Sequence, residues 1–220
     1  MSAQEVDVII PAMNEATALP WVLERVPEGM RAIVVDNNST DNTADVAASH
    51  GAIVVSELLP GFGSACWAGL MASTAEIVCF LDGDGSLDPR QLPLVVEPVH
   101  ARTADLMLGA RRLDAGAMAL HQRAANRYLA YRLTRITNTR LTDLGPMRAV
   151  RRQALLDLRM KDRRSGWPLE MVLKGSRAGW TIAEVPVAYA PRRSGKSKVT
   201  GTVMGTLRAV KDMSRLLANH

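Results

Sequence analysis

Aromatic residues are scarce in this sequence. It holds 2 Phe, 3 Tyr and 4 Trp, which together make up 4% of its 220 residues. Proteins that bind single-stranded nucleic acid stack bases on aromatic side chains. The sequence also contains no recognisable nucleic-acid-reading motif, so we expect no nucleic-acid partner. A basic nucleic-acid-binding protein remains only as an alternative from a different functional class.

Cysteines and long apolar runs are also few. Cys66 and Cys79 have no CxxC spacing. They therefore predict two reduced, buried thiols in a cytoplasmic protein, with one disulfide as the alternative. The first apolar run is only Val8 to Pro11, which is unlike a signal peptide. No run approaches the roughly 20 apolar residues of a membrane-spanning helix. We expect a protein that is at most peripheral on the inner face of the cell membrane.

Basic residues are nearly missing from the first hundred positions. Residues 1–100 contain 3 Lys+Arg and 14 Asp+Glu, a net charge of −11, whereas residues 101–220 contain 24 and 8, a net charge of +16. With 47% hydrophobic residues the chain is predicted to fold, and its length suits a single domain over 1–220. The basic half favours an anionic partner, whether phosphate, phospholipid headgroup or nucleic acid, with an ordinary solvated surface as the alternative.

Strand and helix patterns alternate along the chain, which predicts an α/β fold with a mostly parallel sheet flanked by helices. The predicted strands are Val6–Ile10, Ala32–Val35, Ala52–Val55, Ile77–Leu81, Asp105–Gly109 and Ile182–Val187. The predicted helices are Ala16–Arg25, Thr43–His50, Gly63–Thr74, 120–137, Arg152–Leu158, Leu169–Ala178 and Val203–Ala218. Ligands of such sheets bind beyond the carboxyl ends of the strands. Polar clusters follow Ile10, Val35 and Leu81 there.

The segment LDGDGS, residues 81–86, is the most informative of these clusters. It places Asp82 and Asp84 directly after an apolar strand, with Gly83 between them. Two adjacent carboxylates repel each other unless a cation binds them. Oxygen ligands suit Mg²⁺ or Mn²⁺, which would bridge to a diphosphate. The alternative is a tight acidic turn that could bind Ca²⁺.

The other two clusters have simpler alternatives. Asp36 ends a strand and can accept hydrogen bonds from a base or ribose, while residues 39–43 could equally cap the next helix. Asn14 and Glu15 could likewise cap a helix or face a nucleotide. The basic amphipathic helices predicted at 120–137 and Val203–Ala218 suit an anionic membrane surface, or else pack on the core.

Eight segments in a fixed order carry a resemblance over nearly the whole chain: VIIPAMNEA, VVDNNSTDNTADVA, GFGSACWAGL, FLDGDGS, LGARR, TDLGPMRAVRR, WPLEMVLKGSRAGW and EVPVAYAPRRSGKSK. The sequence resembles the family 2 inverting glycosyltransferases, in the branch of polyprenyl-phosphate (dolichyl-phosphate) mannose and glucose synthases. The resemblance implies a glycosyltransferase A-type, Rossmann-like fold. It also implies a nucleotide-sugar-binding half at 1–110 and a basic acceptor-binding half at 111–220.

The resemblance also implies site residues and a metal, Mg²⁺ or Mn²⁺. Matched by position, the nucleotide site comprises Pro11, Asn14, Glu15, Asp36, Asp82 and Gly83. Asp82 and Asp84 would hold the metal. Arg111, Arg112 and Arg148 would serve phosphate groups, and a basic loop with Arg193, Ser197 and Lys198 would close over the donor diphosphate. Asp84, Arg112 and Arg193 are the residues expected to act in catalysis. Phe62 stands where many relatives have Lys or Arg.

The implied reaction is metal-dependent, inverting transfer of a hexose from a GDP-mannose-type or UDP-glucose-type donor to a polyprenyl or dolichyl phosphate. A phosphate acceptor is already ionised and needs no general base. The alternative is a soluble hydroxyl acceptor with Glu170 as base, although Glu170 could instead be a carboxylate that stabilises a helix start. The donor's base and sugar, and the oligomeric state (a homo-oligomer included), stay open.

Overall fold

The structure, a computed structural model, describes residues 5–113, 120–137 and 140–193. The strands are β1 Val6–Ala12, β2 Met30–Asp36, β3 Ile53–Ser56, β4 Ile77–Phe80, β5 Leu106–Leu113, β6 Arg148–Arg151 and β7 Ile182–Tyr189. The helices are α1 Leu19–Leu23, α2 Thr43–Ser49, α3 Phe62–Ala72, α4 Leu92–His100, α5 Leu120–Thr137, α6 Arg152–Asp157 and α7 Trp167–Arg177. Ser197, Lys198 and the helix predicted at Val203–Ala218 lie outside the described residues.

All seven strands form one sheet in the order β3-β2-β1-β4-β6-β5-β7. Only β6 runs against its neighbours, β4 and β5, while the other pairs are parallel. The predicted mostly parallel sheet flanked by helices is therefore confirmed. The carboxyl ends of β1, β2, β4, β5 and β7 meet at one edge, together with the amino end of β6.

Both faces of the sheet are covered by apolar packing. Successive residues of a strand point to opposite faces, and in β1 Ile9 joins one core cluster while Val8 and Ile10 join the other. The first cluster packs against α3, α5 and α7, and the second against α1, α2 and α4. Gly69 of α3 allows close approach to the sheet, because a Cβ there would lie 2.4 Å from the Cγ2 of Ile9.

Two elements were not predicted. Helix α4 contains Pro93 and Pro98, which obscure its periodicity, although Pro93 lies in the first turn, where proline is tolerated. Strand β6 has only two apolar residues between arginines, yet its Arg148 is buried. One predicted helix was too long: the helix expected over Ala16–Arg25 is observed only as α1, Leu19–Leu23. Residues 16–18 form a turn instead. The backbone N of residues 15 and 16 donates to the side chains of residues 43 and 41 in the loop after β2.

Cys66 and Cys79 are buried free thiols, as predicted, and burial raises the pKa of both. Helix α5 buries Leu129 and Leu133 and exposes residues such as Tyr131. Among the described residues, none of the helices combines the length and apolar character that crossing a bilayer requires.

Candidate active site

The predicted polar clusters converge on one edge of the sheet. Asn14 and Glu15 follow β1, Asp36 ends β2, and Asp82 and Asp84 follow β4. The chain reverses its direction of strand addition between β1 and β4, which opens a crevice for ligands at that edge. The fold therefore brings these residues to one crevice.

Asp82 and Asp84 form an acidic pair in this crevice. Asp84 is 3% exposed, and its Oδ1 accepts a hydrogen bond of 2.8 Å from the backbone N of Ser86. Burial of the Asp82 carboxyl, and then repulsion from Asp84, raise the pKa of Asp82 to about 7. A bound cation would relieve both effects.

Arg192, from the segment after β7, places a cation directly against Asp84. Its Nε lies 2.7 Å and its Nη2 2.6 Å from Oδ2 of Asp84, and its Nη2 lies 3.4 Å from Oε1 of Glu15. Burial lowers the pKa of the guanidinium and the charge of Asp84 raises it, with a net upward shift. Arg192 thus joins the acidic residues after β1 and β4.

The backbone of residues 190–193 is fixed against residues 84–86. Ala190 N donates to Ser86 O at 2.9 Å, and Arg193 N donates to Asp84 O at 3.1 Å. Gly85 has φ +71°, and a Cβ there would lie 2.8 Å from Cδ of Arg193. This close approach requires a glycine at position 85.

Arg193, predicted for the donor loop, lies beside an open pocket of about 310 Å³ at this edge. Its guanidinium carbon is 3.8 Å from the ring centroid of Trp21, a cation–π distance. The pocket is lined by Trp21, Gly85, Ser86, Asp88, Ala188, Ala190, Pro191, Arg192 and Arg193. Arg192 and Arg193 therefore face the same open volume as Gly85, Ser86 and Asp88.

Hydrogen bonds join the turn after β1 to the turn after β2. Asn14 has φ +55°, its N donates to Ser39 Oγ at 3.0 Å, and its Oδ1 accepts from Thr40 N at 2.7 Å. Glu15 N donates to Thr43 Oγ1 at 2.9 Å. These bonds hold Asn14 and Glu15 at the crevice. Ser39, Thr40 and Thr43 therefore stabilise the turn after β1.

Arg111 and Arg112 diverge. Arg111 donates to Asp143 from its backbone N, Nε and Nη2 at 2.9, 2.7 and 2.7 Å, and its guanidinium carbon is 5.3 Å from the ring centroid of Tyr189. Arg112 is exposed, and as the next residue of β5 it points to the opposite side of the strand. Of these two arginines, Arg111 is the one whose guanidinium is held by the Asp143 carboxylate. The charge of Arg111 lowers the pKa of Asp82.

Arg148 and Glu170 are both buried. Arg148 is 1% exposed, and its guanidinium donates to the carbonyl oxygens of Pro168 and Gly145. Burial lowers its pKa to about 10. The sequence alone gave no sign of this burial, because arginine is rarely buried. Its charge still reaches Asp82, whose pKa it lowers.

The Glu170 carboxylate accepts several hydrogen bonds. Its oxygens take the backbone N of Lys161 at 2.9 Å and of Asp162 at 2.7 Å, and lie 2.8 Å from Lys174 Nζ. Burial raises the pKa of Glu170, but Lys174 and the two amides outweigh it and lower the pKa overall. A low pKa and occupied oxygens are the opposite of what a general base requires.

The profile of Glycosyl transferase family 2 matches residues 7–159, which contain the whole acidic side of this crevice. The chain belongs to glycosyl transferase family 2. An uncharacterized glycosyltransferase of Mycobacterium tuberculosis is 46% identical over 99% of this chain and all of its own length. Undecaprenyl-phosphate mannosyltransferase of Micrococcus luteus is 32% identical over 90% of this chain and 88% of its own length. The predicted family and branch are confirmed.

Solved structures show the same fold. Glucosyl-3-phosphoglycerate synthase of Mycobacterium tuberculosis, in complex with Mn²⁺, UDP-glucose and phosphoglyceric acid, matches with a TM-score of 0.76 and 23% identity, over 98% of this chain and 80% of that one. The same synthase with Mg²⁺ and UDP matches with a TM-score of 0.75 and 25% identity, over 98% and 77%. These likenesses establish the glycosyltransferase A-type fold. The match to Glycosyl transferase family 2, together with relatives that are named glycosyltransferases, establishes glycosyltransferase activity.

The carboxylates of this family 2 site fit a divalent metal that is also bound by phosphate oxygens and water. In the described ranges, 5–113, 120–137 and 140–193, no three His, Cys, Asp or Glu side chains converge as a metal cage. Mg²⁺ and Mn²⁺ sites commonly need only one or two carboxylates, with phosphate oxygens and water completing the shell. Asp82 and Asp84 provide such a pair, and burial of the Asp82 carboxyl together with repulsion from Asp84 raises the pKa of Asp82, an effect that a bound cation would oppose.

Four residues at this family 2 site were not predicted. Arg192 precedes the predicted Arg193 in the PRRS segment, and Asp143 lies within the quoted TDLGPMR motif, so both had a sequence signal. Trp21 had no sequence signal, because only the fold brings α1 to the crevice, whereas Tyr189 likewise lies within the quoted EVPVAYAPRRSGKSK segment. Their contacts with Arg193 and Arg111 make them part of the site.

Proposed function

We propose that this glycosyltransferase transfers a hexose, with inversion, from a nucleoside-diphosphate sugar to a polyprenyl phosphate. One observation carries the proposal: acidic and basic side chains meet in one crevice. Arg192 contacts Asp84, and the charge of Arg111 acts on Asp82. Such a site accommodates a metal on the acidic side and phosphate groups on the basic side. The Micrococcus luteus mannosyltransferase supports a lipid-phosphate acceptor.

In this reaction an oxygen of the acceptor phosphate forms a bond to the anomeric carbon of the hexose. The bond from that carbon to the donor diphosphate breaks, and its electron pair leaves with the nucleoside diphosphate. A divalent cation held by Asp82 and Asp84 would offset the charge of that leaving group. Arg192 and Arg193 line the pocket beside Asp84 and would contact the diphosphate. Arg111, oriented by Asp143, would serve a phosphate.

The state of Glu170 supports a phosphate acceptor over a hydroxyl one. A hydroxyl must lose a proton during transfer, whereas a phosphate oxygen is already ionised near neutral pH. Glu170, the base expected for a hydroxyl acceptor, has its carboxylate held by Lys174 and two backbone amides. Its lowered pKa makes it a poor proton acceptor.

A lipid acceptor also requires contact with a membrane, and α5 suits that contact. Its outward residues Tyr128, Tyr131 and Ile136 are exposed, and Arg127 and Arg135 are exposed beside them. Aromatic and cationic side chains together favour the interface of an anionic bilayer. We propose that the protein is peripheral on such a surface, acting as a single domain over 1–220.

The test is a transfer assay with vesicles that contain undecaprenyl phosphate, labelled GDP-mannose or UDP-glucose, and Mn²⁺ or Mg²⁺. We expect label in the organic-soluble lipid fraction with one of the two donors, and none when EDTA is present. Vesicles without the polyprenyl phosphate are the control. Absence of a lipid-linked sugar with either donor, from protein that is folded by circular dichroism, would contradict the proposal.

A second candidate is a soluble phosphorylated acceptor, which the fold likeness to glucosyl-3-phosphoglycerate synthase favours. The same assay separates the two, because phosphoglyceric acid then replaces the vesicles and the label stays in the aqueous phase. Label transferred only to phosphoglyceric acid would replace the first candidate by the second.

A further inference from the structure

Arg192 occupies one of the two carboxylate oxygens of Asp84, the residue that would hold a metal ion. Two of its nitrogens lie 2.7 and 2.6 Å from the same carboxylate oxygen, Oδ2. The other oxygen, Oδ1, accepts the backbone N of Ser86 at 2.8 Å, a bond within the turn itself. A cation that binds Asp84 through Oδ2 would therefore compete with Arg192.

The charge balance of the crevice explains why Arg192 lies there. Asp84 and Glu15 are 3% and 5% exposed, and both reach Arg192 within 3.4 Å. Asp82 adds a third carboxyl to the same crevice, and its charge also acts on Arg192. Buried carboxylates require a cation nearby. Among the described residues, the guanidinium of Arg192 is a cation that contacts both Asp84 and Glu15 before any ligand binds.

Arg192 can leave Asp84 without a loop movement. Backbone hydrogen bonds from Ala190 and Arg193 hold the segment against Ser86 and Asp84, so only the Arg192 side chain needs to rotate. That side chain is 24% exposed and lines the open pocket of about 310 Å³. A diphosphate in this pocket would offer the guanidinium a second anion, with the geometry that arginine binds as a fork.

Given the metal site and donor proposed above, we infer that Arg192 and the divalent metal compete for Asp84, and that the donor diphosphate resolves this competition by taking Arg192. Metal alone then binds weakly, because it must displace an ion pair. Metal and nucleoside diphosphate bind cooperatively, because each removes the obstacle to the other. By thermodynamic linkage, the nucleotide increases metal affinity by the same factor as the metal increases nucleotide affinity.

The test is calorimetric titration of the full chain with MnCl₂, without and with UDP or GDP, in wild type and Arg192→Gln. The variant is expected to bind Mn²⁺ alone about tenfold more tightly, since a charge-assisted hydrogen bond no longer opposes it. It is expected to bind the nucleoside diphosphate more weakly in the presence of Mn²⁺. The cooperativity between metal and nucleotide should shrink. Opposite signs for the two ligands distinguish this exchange from general damage to the site.

Arg31→Gln is the matched control. Arg31 also forms a two-nitrogen pair with a buried aspartate, Asp7, but at the opposite edge of the sheet. Arg31→Gln removes the same charge as Arg192→Gln and should leave the Mn²⁺ affinity unchanged. Arg192→Lys keeps the charge without the fork and should fall between wild type and Arg192→Gln, which provides a readout if the glutamine variant does not fold.

Unchanged or weaker Mn²⁺ binding in Arg192→Gln would overturn the competition, as would an equal gain in Arg31→Gln. The metal site itself is tested separately by Asp84→Asn. If Asp84→Asn loses Mn²⁺ binding while Arg192→Gln does not alter it, the metal site stands and the competition fails. If Asp84→Asn binds Mn²⁺ like wild type, the proposed metal site fails.

Discussion

Asp7 and Asp84 are both buried aspartates paired with an arginine, at opposite edges of the same sheet. Asp7, near the amino end of β1, accepts from Arg31 Nε and Nη2 at 2.8 and 2.9 Å, from Ser73 Oγ at 2.7 Å, and from the backbone N of residues 74 and 75 at 3.1 and 3.2 Å. Asp84 accepts only from Ser86 N and Arg192 among the bonds that the described residues show.

Their surroundings differ as much as their bonds. Burial raises the pKa of Asp7, but Arg31, Ser73 and the two amides outweigh it, so its pKa is lowered overall. At the other edge Asp84 helps to raise the pKa of Asp82. A carboxylate surrounded by donors stabilises the fold, whereas a crowded pair with one removable cation is suited to binding a ligand. The ion pair alone does not distinguish these roles, but the remaining partners do.

The largest effect should come from Asp84→Asn. The change removes the negative charge on which the proposed metal depends, and we expect the rate of transfer to fall by at least about a hundredfold, as for loss of one main electrostatic contact in a transition state. Thermal stability should change little, because loss of the repulsion with Asp82 offsets loss of the ion pair with Arg192. Transfer assays and thermal unfolding of the same preparation check both parts. A large loss of stability would instead show that Asp84, like Asp7, mainly stabilises the fold.

Asp7→Asn should do the reverse. It leaves Arg31 partly buried without its anion and weakens five hydrogen bonds, so we expect a loss of about 3 kcal/mol in the free energy of unfolding. Transfer per folded molecule should be nearly unchanged, because Asp7 lies at the far edge of the sheet. Urea denaturation monitored by circular dichroism measures the first, and assays well below the melting temperature measure the second. A stable but inactive variant would contradict the assignment.

The two edges should also respond oppositely to pH in metal-free protein. The folded-state pKa of Asp7 lies below 3.8, so its stabilisation is complete above that value and is lost as pH falls through the folded pKa. The pKa of Asp82 is raised to about 7, so the folded state holds a proton that the unfolded state releases, and stability falls as pH rises from about 4 to about 7.

Differences in melting temperature against wild type isolate these two contributions. The advantage of Asp82→Asn over wild type should grow between pH 4 and 7 and then level off. The deficit of Asp7→Asn should be constant above pH 4 and shrink only in stronger acid. Parallel curves for the two variants would show that the carboxyls do not differ as the structure indicates.

Much of the fold was predictable, because buried parallel strands are continuous apolar runs and helices between them are periodic. The exceptions have physical causes. In β6 the apolar pattern of a buried strand is interrupted by Arg148. Its burial depends on two carbonyl oxygens, one from Pro168, which is distant in the sequence, and one from Gly145, which lies outside regular structure. In α4 the prolines hide a helix that packing against the sheet stabilises.

The acidic side of the site was also predictable, since residues that follow parallel strands meet at one edge. Asn14, Glu15, Asp36, Asp82 and Asp84 required only the strand pattern. The basic side was not, because nothing in the sequence says which of two adjacent arginines faces inward. Arg192 rather than Arg193 meets Asp84, and Arg111 rather than Arg112 is held by Asp143.

Glu170→Gln should have the smallest effect of these changes and sharpens the comparison, because Glu170 shares the bonding of Asp7 and not of Asp84. Its carboxylate fixes residues 161–162, next to the segment whose Arg164 O and Arg163 O accept from Gly63 N and Ser64 N at the start of α3. The amide loses the charged pair with Lys174 and one acceptor oxygen, so we expect a loss of about 1–2 kcal/mol in stability.

The turnover of Glu170→Gln should stay within about threefold of wild type and its pH profile should not shift, because a phosphate acceptor requires no base. Lys174→Gln is the matched control, since it breaks the same ion pair while leaving the carboxylate in place. If Glu170→Gln is inactive while its melting temperature matches that of Lys174→Gln, the carboxylate is taking a proton. The acceptor is then a hydroxyl, and Glu170 belongs with Asp84 on the functional side of the comparison.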